Sequence, residues 1–305
     1  MNFSRRQALL SGAAVPLGLA ALGAASPAAA QSAAPTNAIH NTVNVGNFEL
    51  TTLLAGSRAA MEPQSIFGQN VSAEEFAEVS AENFIPADST QFFFLPSVVR
   101  TGSEVVLFDT GLGAEPTLAA LNAAGIQAED VDVVAITHMH PDHIGGMLNN
   151  GEPTYANARY VTGQAEYDFW ANSGADGFET NVRPFADKMT FIGDGGTVAP
   201  GITGILAAGH TAGHMVFMLD SDDSQLLITG DLANHHVWSL AKPDWEVRFD
   251  SDKAQAAQAR RNILGMVAAD RIPMLGYHLP FPGIGFVETD GDGFRYVPAT
   301  YQLSL

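Results

Sequence analysis

The 305-residue sequence has no cysteine, which excludes disulfides, thiolate metal ligands, a thiol nucleophile and a lipid-carrying N-terminal cysteine. Basic residues are scarce as well. Lysine and arginine total 14 against 33 aspartates and glutamates, a net charge of −19. Binding nucleic acid or an anionic membrane surface needs clustered positive charge, so polyanions are poor partners. No G-x-S-x-G elbow occurs, and a serine nucleophile has no motif to sit in. Beyond residue 30 no apolar run is long enough to cross a bilayer, and no period of 20 to 50 residues marks a repeat fold. What the chain does have is 46% apolar residues, enough over this length to bury a substantial core.

The opening "MNFSRRQALLSGAAVPLGLAALGAASPAAAQS" combines a positive n-region, an Ala/Leu/Gly stretch and an A-x-A site at Ala28 to Ala30, with cleavage expected before Gln31. Gly12, Pro16, Gly18 and Gly23 weaken it as a membrane helix. Through "SRRQALL" it resembles a twin-arginine export signal, residues 1–30. That resemblance implies folding before export, a periplasmic or secreted location, and no stable membrane insertion after cleavage. Residues 31–42, His40 among them, read as a linker, and the domain is expected from Val43 to residue 305.

Strand-like runs rich in Val, Ile, Leu and Phe then recur, among them "FELTTLLA", "QFFFLPSVV", "EVVLFDTG", "VDVVAITH", "QLLITGD" and "IPMLGYH". Helical stretches fall between some of them. "SAEEFAEV" starts with a capping box, Ser72 with Glu75, and the stretch from Asp250 to Asp270 puts Ala257, Leu264, Val267 and Ala268 on one face. Many strands with interspersed helices predict an α/β layered architecture. The mixed segment from Gly56 to Ser89 is expected to fold over a pocket.

Chemistry concentrates in "VDVVAITHMHPDHIGG". Side chains two apart on an extended segment face the same way, so His138 and His140 can reach one metal ion. Pro141 then breaks the strand, and Asp142 and His143 fall in the following turn, aimed at a second position nearby. Gly145 and Gly146 allow tight backbone packing. Four ligands cannot fill two metal sites, so more are expected at other strand tips. His210 in "LAAGHTAGH", Asp231 in "LLITGD" and His278 in "IPMLGYH" each follow an apolar run in that way.

On these motifs the chain resembles the metallo-β-lactamase-fold hydrolases from Val43 to the C-terminus, which implies an αββα sandwich with metals at one edge. Carried over by motif, His138, His140 and His210 would hold the first metal, Asp142, His143 and His278 the second, and Asp231 would bridge them. The resemblance also implies that Asp109, in "FDTGLG", orients a ligand histidine by hydrogen bonding. His214 reads as an outer hydrogen-bonding partner rather than a ligand. Within the superfamily, "GHTAGH", "ITGDL" and above all "YHLPFPGIGFVETDGDGFRYVP" resemble the methyl parathion hydrolase and quorum-quenching lactonase branch. The region before residue 90 and "ANHHVWSLAKPDWEV" depart from that pattern; both are expected to line the pocket. His235 and His236 read equally as pocket-facing or solvated, while Trp238, Trp245, Phe281 and Phe286 read as pocket wall or ordinary core.

Two divalent ions about 3.5 to 4 Å apart would share a water and present hydroxide at neutral pH, while polarising the electrophile. Histidine and carboxylate ligands suit zinc first, with manganese, iron or cobalt open. The expected activity is hydrolysis of a small neutral lactone, carboxylic ester or phosphotriester, with Asp142, Asp231 or a water open as the leaving group's proton donor. Thioester or β-lactam hydrolysis is the alternative on the same fold. Two others are an exported metal-binding protein without catalysis and an oxygen-using iron enzyme, since fold alone never fixes function. Oligomeric state is not legible.

Overall fold

Strands buried on both faces read as unbroken apolar runs, and the central strands of this protein are of that kind. The computed structural model describes residues 39–299, so the expected export signal and most of the expected linker lie outside the described residues. One seven-stranded sheet runs in the order β1 (His40–Val45), β2 (Phe48–Leu53), β5 (Ser97–Arg100), β6 (Val105–Phe108), β7 (Val133–Ala135), β10 (Arg159–Gly163) and β11 (Met189–Ile192). Its last four strands are parallel. The other runs β12 (Thr197–Ala199), β13 (Ile202–Leu206), β14 (Met215–Ser221), β15 (Ser224–Ile228), β16 (Met274–Leu275), β17 (Ile284–Asp290) and β18 (Gly293–Pro298), with only β15 and β16 parallel. Two ribbons stand apart from both: β3 (Gly56–Met61) with β4 (Ser89–Phe94), and β8 (Leu148–Asn149) with β9 (Glu152–Pro153).

Strand parity builds the layers. Val106, Phe108, Val133 and Ala135 face inward and meet Phe217, Leu226, Ile228 and Leu275 of the second sheet in one core. Their neighbours Leu107 and Val134 face out, under α2 (Ala114–Ala123) and α5 (Asp176–Asn181), alongside α4 (Gln164–Ala171). Val216, Leu227 and Met274 face out on the far side, under Ile263, Leu264 and Val267 of α6 (Lys253–Asp270). Slipping β6 by one residue would exchange Leu107 with its two inward neighbours, so the register is fixed by both cores at once. The result is the αββα sandwich. Helix α1 (Ala73–Glu82), capped by the Ser72 hydroxyl accepting from the Glu75 amide at 3.1 Å, joins the β3–β4 ribbon in a further apolar cluster.

Several expectations shift. His40 is not linker: it opens β1 opposite Leu53, because Val43 and Val45 of the same segment pack into the inner core. "QFFFLPSVV" is two strands in two sheets, broken at Leu95 and Pro96, where proline offers no amide to a ladder. On α6 the buried stripe keeps the expected Leu264 and Val267 but takes Ala256, Arg260 and Ile263 in place of Ala257 and Ala268, with Arg260 held inside by an acidic partner. Phe286 lines a separate surface cavity with Asp270 and Arg271, not the site.

Candidate metal centre

Every chemistry-bearing loop follows the end of a sheet strand. β7 ends at Ala135 and leads through Thr137, His138 and His140 into the short helix α3 (Pro141–Ile144), with proline at its first turn. The glycines behind it have a steric task. A Cβ on Gly145 would lie 2.3 Å from the Leu112 carbonyl oxygen, and one on Gly146 would lie 2.2 Å from that of Thr110. The helix can therefore press against the Asp109–Gly113 loop only with glycine at both positions. His210 sits between β13 and β14, Asp231 follows β15, and His278 follows β16.

The structure brings all seven expected side chains together in two groups. His138, His140, His210 and Asp231 form one, each offering a donor atom within 4.8 Å of the others; Asp142, His143 and His278 form the second under the same limit. In the first, three ring nitrogens make a triangle: His140 Nδ1 lies 3.0 Å from both His138 Nε2 and His210 Nε2, which are 3.1 Å apart. Asp231 stands between the groups. Its Oδ2 is 3.3 Å from His210 Nε2 and 3.2 Å from His278 Nε2, while Oδ1 is 3.2 Å from His143 Nε2. Asp142 Oδ2 is 3.3 Å from His278 Nε2.

Outer partners decide which nitrogen keeps its lone pair. Asp109 Oδ2 accepts from His143 Nδ1 at 2.8 Å, Asp250 Oδ1 from His210 Nδ1 at 3.0 Å, and the Phe93 carbonyl from His278 Nδ1 at 2.8 Å. Thr137 donates its hydroxyl proton to Asp109 Oδ2 at 2.8 Å, so its oxygen accepts from His138 Nδ1 at 3.1 Å. With each Nδ1 proton committed, four Nε2 lone pairs point inward. Asp109 does this from a left-handed backbone (φ 58°), held by a 2.8 Å bond from the Thr137 amide.

The electrostatics follow carboxylate contact rather than the two groups: against burial, Asp231 and Asp250 lift His210 of the first group to about 9, while its two companion rings fall. Burial, reinforced by neighbouring imidazoles, pushes His138 well below the usual histidine range and His140 down to about 4. Burial acts the same way on the second group, but carboxylates outweigh it: Asp231, Asp109 and Asp142 hold His143 well above, and Asp231 with Asp142 lifts His278 to about 10. The negative charge collected here favours a positive charge among these rings.

Some participants carry no motif. Asp250, buried, holds His210 from outside and is itself paired with Arg260 NH1 at 2.8 Å. Glu166 is fully buried on α4; its Oε1 accepts from the Met139 amide at 2.9 Å and Trp170 Nε1 at 2.6 Å, its Oε2 from the Thr211 hydroxyl at 2.7 Å and the Gly213 amide at 3.0 Å. It thus joins the loop of His138 and His140 to the loop of His210. The Tyr277 hydroxyl donates to the Asp142 carbonyl at 2.5 Å. His214 accepts the Asp231 amide at 3.1 Å through Nε2 and belongs to neither donor group. His235 and His236 lie outside both groups too, and Trp238 and Trp245 are buried in the cluster beside the site.

Over the centre lies a cavity of about 230 Å³ lined by Arg58, Phe92, Phe94, Leu112 and Phe249 together with His140, Asp142, Asp231 and His278. The segment from Gly56 to Ser89 does contribute to its wall, through Arg58 on β3.

The residues fit a pair of divalent cations. His143 Nε2 and Asp231 Oδ1 are buried and have no hydrogen-bond partner among the described residues, a costly state for two polar atoms 3.2 Å apart unless a cation takes both. Nitrogen and oxygen donors without thiolate suit zinc, manganese, iron or cobalt.

Comparison with known proteins agrees. A profile described as "Metallo-beta-lactamase superfamily" matches residues 96–274. Lactamase-like protein aptB of Emericella nidulans is 26% identical over 149 residues, 48% of this chain and only 41% of that relative's length. Among solved structures, AidC, a dizinc quorum-quenching lactonase in complex with a product, is 25% identical with a TM-score of 0.79, covering 87% of this chain and 98% of that one. The hydrolase AbOPH shares the fold at a TM-score of 0.80 and 23% identity, over 88% of this chain and 99% of the other. A probable metal-dependent hydrolase from Staphylococcus aureus does so at 0.70 and 19%, over 86% and 100%.

Proposed function

The chain belongs to the metallo-beta-lactamase superfamily, and on that premise we propose that it is a dinuclear metal-dependent hydrolase of small neutral ester-type substrates: a lactone, a carboxylic ester or a phosphotriester. The observation that carries this reading is Asp231, whose two oxygens lie within 3.3 Å of histidines from both donor groups, on the border of an apolar cavity. His138, His140 and His210 would hold one cation, Asp142, His143 and His278 the other, with Asp231 shared. When bound, such a pair supplies Lewis acidity, lowering the pKa of a coordinated water and offsetting charge that develops on the electrophile.

The chain's own residues do the rest. Phe92, Phe94, Leu112 and Phe249 give the cavity a largely apolar wall, interrupted by Arg58, which favours an apolar substrate body. Asp109, Asp250 and the Phe93 carbonyl keep the imidazole lone pairs turned inward. Of the two carboxylates, Asp142 has the more accessible side chain, 21% exposed against 4% for Asp231. A proton leaving or entering at the reacting atoms is therefore assigned to an Asp142 oxygen. AidC, a dizinc lactonase of the same fold, supports both the metal count and the substrate class.

The test combines metal quantitation with an acyl homoserine lactone and an aryl phosphotriester assayed side by side. Two metals per chain and chelator-sensitive turnover of at least one substrate are expected. One metal per chain, or no turnover of either, overturns the reading and directs attention to thioesters and β-lactams.

A further inference from the structure

Beside the metal cavity, and sharing only His278 with it, lies a larger cavity of about 360 Å³ that no step of hydrolysis uses. β4 separates the two by its alternation. Phe92 and Phe94 line the metal side, while Gln91 and Phe93 line the other. Apart from the shared His278, no charged side chain lines the larger cavity. Its surface is largely apolar, from Ile85, Phe93 and Trp238, with the Thr90 hydroxyl at its side.

Ser89, Gln91 and His236 add polar groups to its wall, and one further polar group is buried and locked in place. His235 is only 8% exposed and lies flat on Trp238, with ring centroids 4.0 Å apart and 19° between planes. Its Nδ1 accepts two backbone amides, from Val237 at 3.1 Å and Trp238 at 3.2 Å. Two donors on Nδ1 leave the ring proton only one place, Nε2. Among the described residues no acceptor meets that Nε2–H. The Nε2 atom is not sealed off from the cavity, and a ring locked by stacking and by two main-chain bonds holds its N–H in one direction, a preorganised donor for what enters.

We infer that this cavity is a second binding site, for a neutral apolar molecule carrying a carbonyl-type acceptor that takes the His235 Nε2–H. The volume falls in the range of small-molecule pockets, about 300–1,000 Å³, and the walls favour an alkyl or aryl body over any charged one. This site stands independently of the hydrolytic reading, because none of its lining except His278 belongs to the metal centre.

The probe is hexanamide, titrated into the metal-loaded, histidine-labelled full chain and followed by imidazole NMR. His235 reports on the new site and His140, which lines only the metal cavity, on the other. The expected result is a Nε2-protonated His235 whose signals move saturably while those of His140 do not. Hexylammonium and hexanoate are expected to bind at least about tenfold more weakly. His235→Phe, which keeps an aromatic ring beside Trp238 but loses the donor and the Nδ1 acceptor of two amides, is expected to weaken hexanamide by at least about tenfold, the loss of one hydrogen bond to the ligand. Should that variant fail to fold, Ile85→Trp fills the same space and is expected to abolish binding. A proton on Nδ1, movement of His140 without His235, or no saturable movement at His235 overturns the inference.

Discussion

Exchanging one oxygen of Glu166 for an amide nitrogen tests how the two halves of the metal centre are tied. Each carboxylate oxygen accepts two donors: Oε1 those of Met139 and Trp170, Oε2 those of Thr211 and Gly213. In Glu166→Gln, whichever way the amide turns, its NH2 faces two donors and leaves both unpaired in a fully buried place. Each unmet donor costs about 1–3 kcal/mol, so the pair is expected to cost roughly 4 kcal/mol. For a protein of this size that corresponds to a fall in Tm of roughly 8–16 °C. The same change loosens the Met139 amide, which sits between two expected ligands, and outer-partner losses typically cost 10- to 100-fold in metal affinity. Thermal unfolding together with chelator competition reads both quantities on one sample. A variant with unchanged Tm and unchanged metal affinity would refute the reasoning, because among the described residues each of these four donors is paired with Glu166 alone.

Further outcomes follow from the same geometry. Asp231→Asn is expected to lower both metal content and turnover, whereas His235→Ala keeps two metals per chain; equal metal loss in the two, read by elemental analysis, would contradict the ligand assignment. Arg260→Met leaves Asp250 a buried carboxylate without its guanidinium and the Pro243 carbonyl without its donor, and is expected to cost about 3–5 kcal/mol in urea unfolding. Gly145→Ala forces a Cβ against the Leu112 carbonyl at 2.3 Å and is expected to destabilise by about 1–3 kcal/mol, measured the same way. Replacing Arg5 and Arg6 by lysine is expected to hold the protein in the cytoplasm of a host with a twin-arginine exporter, checked by fractionation; unchanged export would count against that route.

Much of the site was legible because metal chemistry is confined to a few residue types and sheets put them at strand tips. His138, Asp231 and His278 each follow an uninterrupted apolar run, and that contrast is visible without coordinates. Asp109 was reachable through its motif. Glu166 and Asp250 were not, because a carboxylate at the end of a polar segment reads as solvated, and what distinguishes these two is a partner from a distant stretch of chain. In "QAEYDFW" nothing separates the buried Glu166 from the exposed Asp168 two residues on. Asp250 stands two residues from Asp252, the actual cap of α6, and shares its appearance. Parity gave the layers, but not that Pro96 would send the two halves of one apolar run to different sheets.

The β3–β4 ribbon pairs with neither large sheet, yet it separates the two cavities and meets His278 of the centre through one hydrogen bond, to the Phe93 carbonyl, and through the rings of Phe92 and Phe94 edge-on to it. A main-chain oxygen is indifferent to which side chain its residue carries. Appetite for substrate can therefore be rewritten at ribbon positions clear of that ring, such as Arg58, while the imidazole stays aimed and the sandwich beneath is untouched.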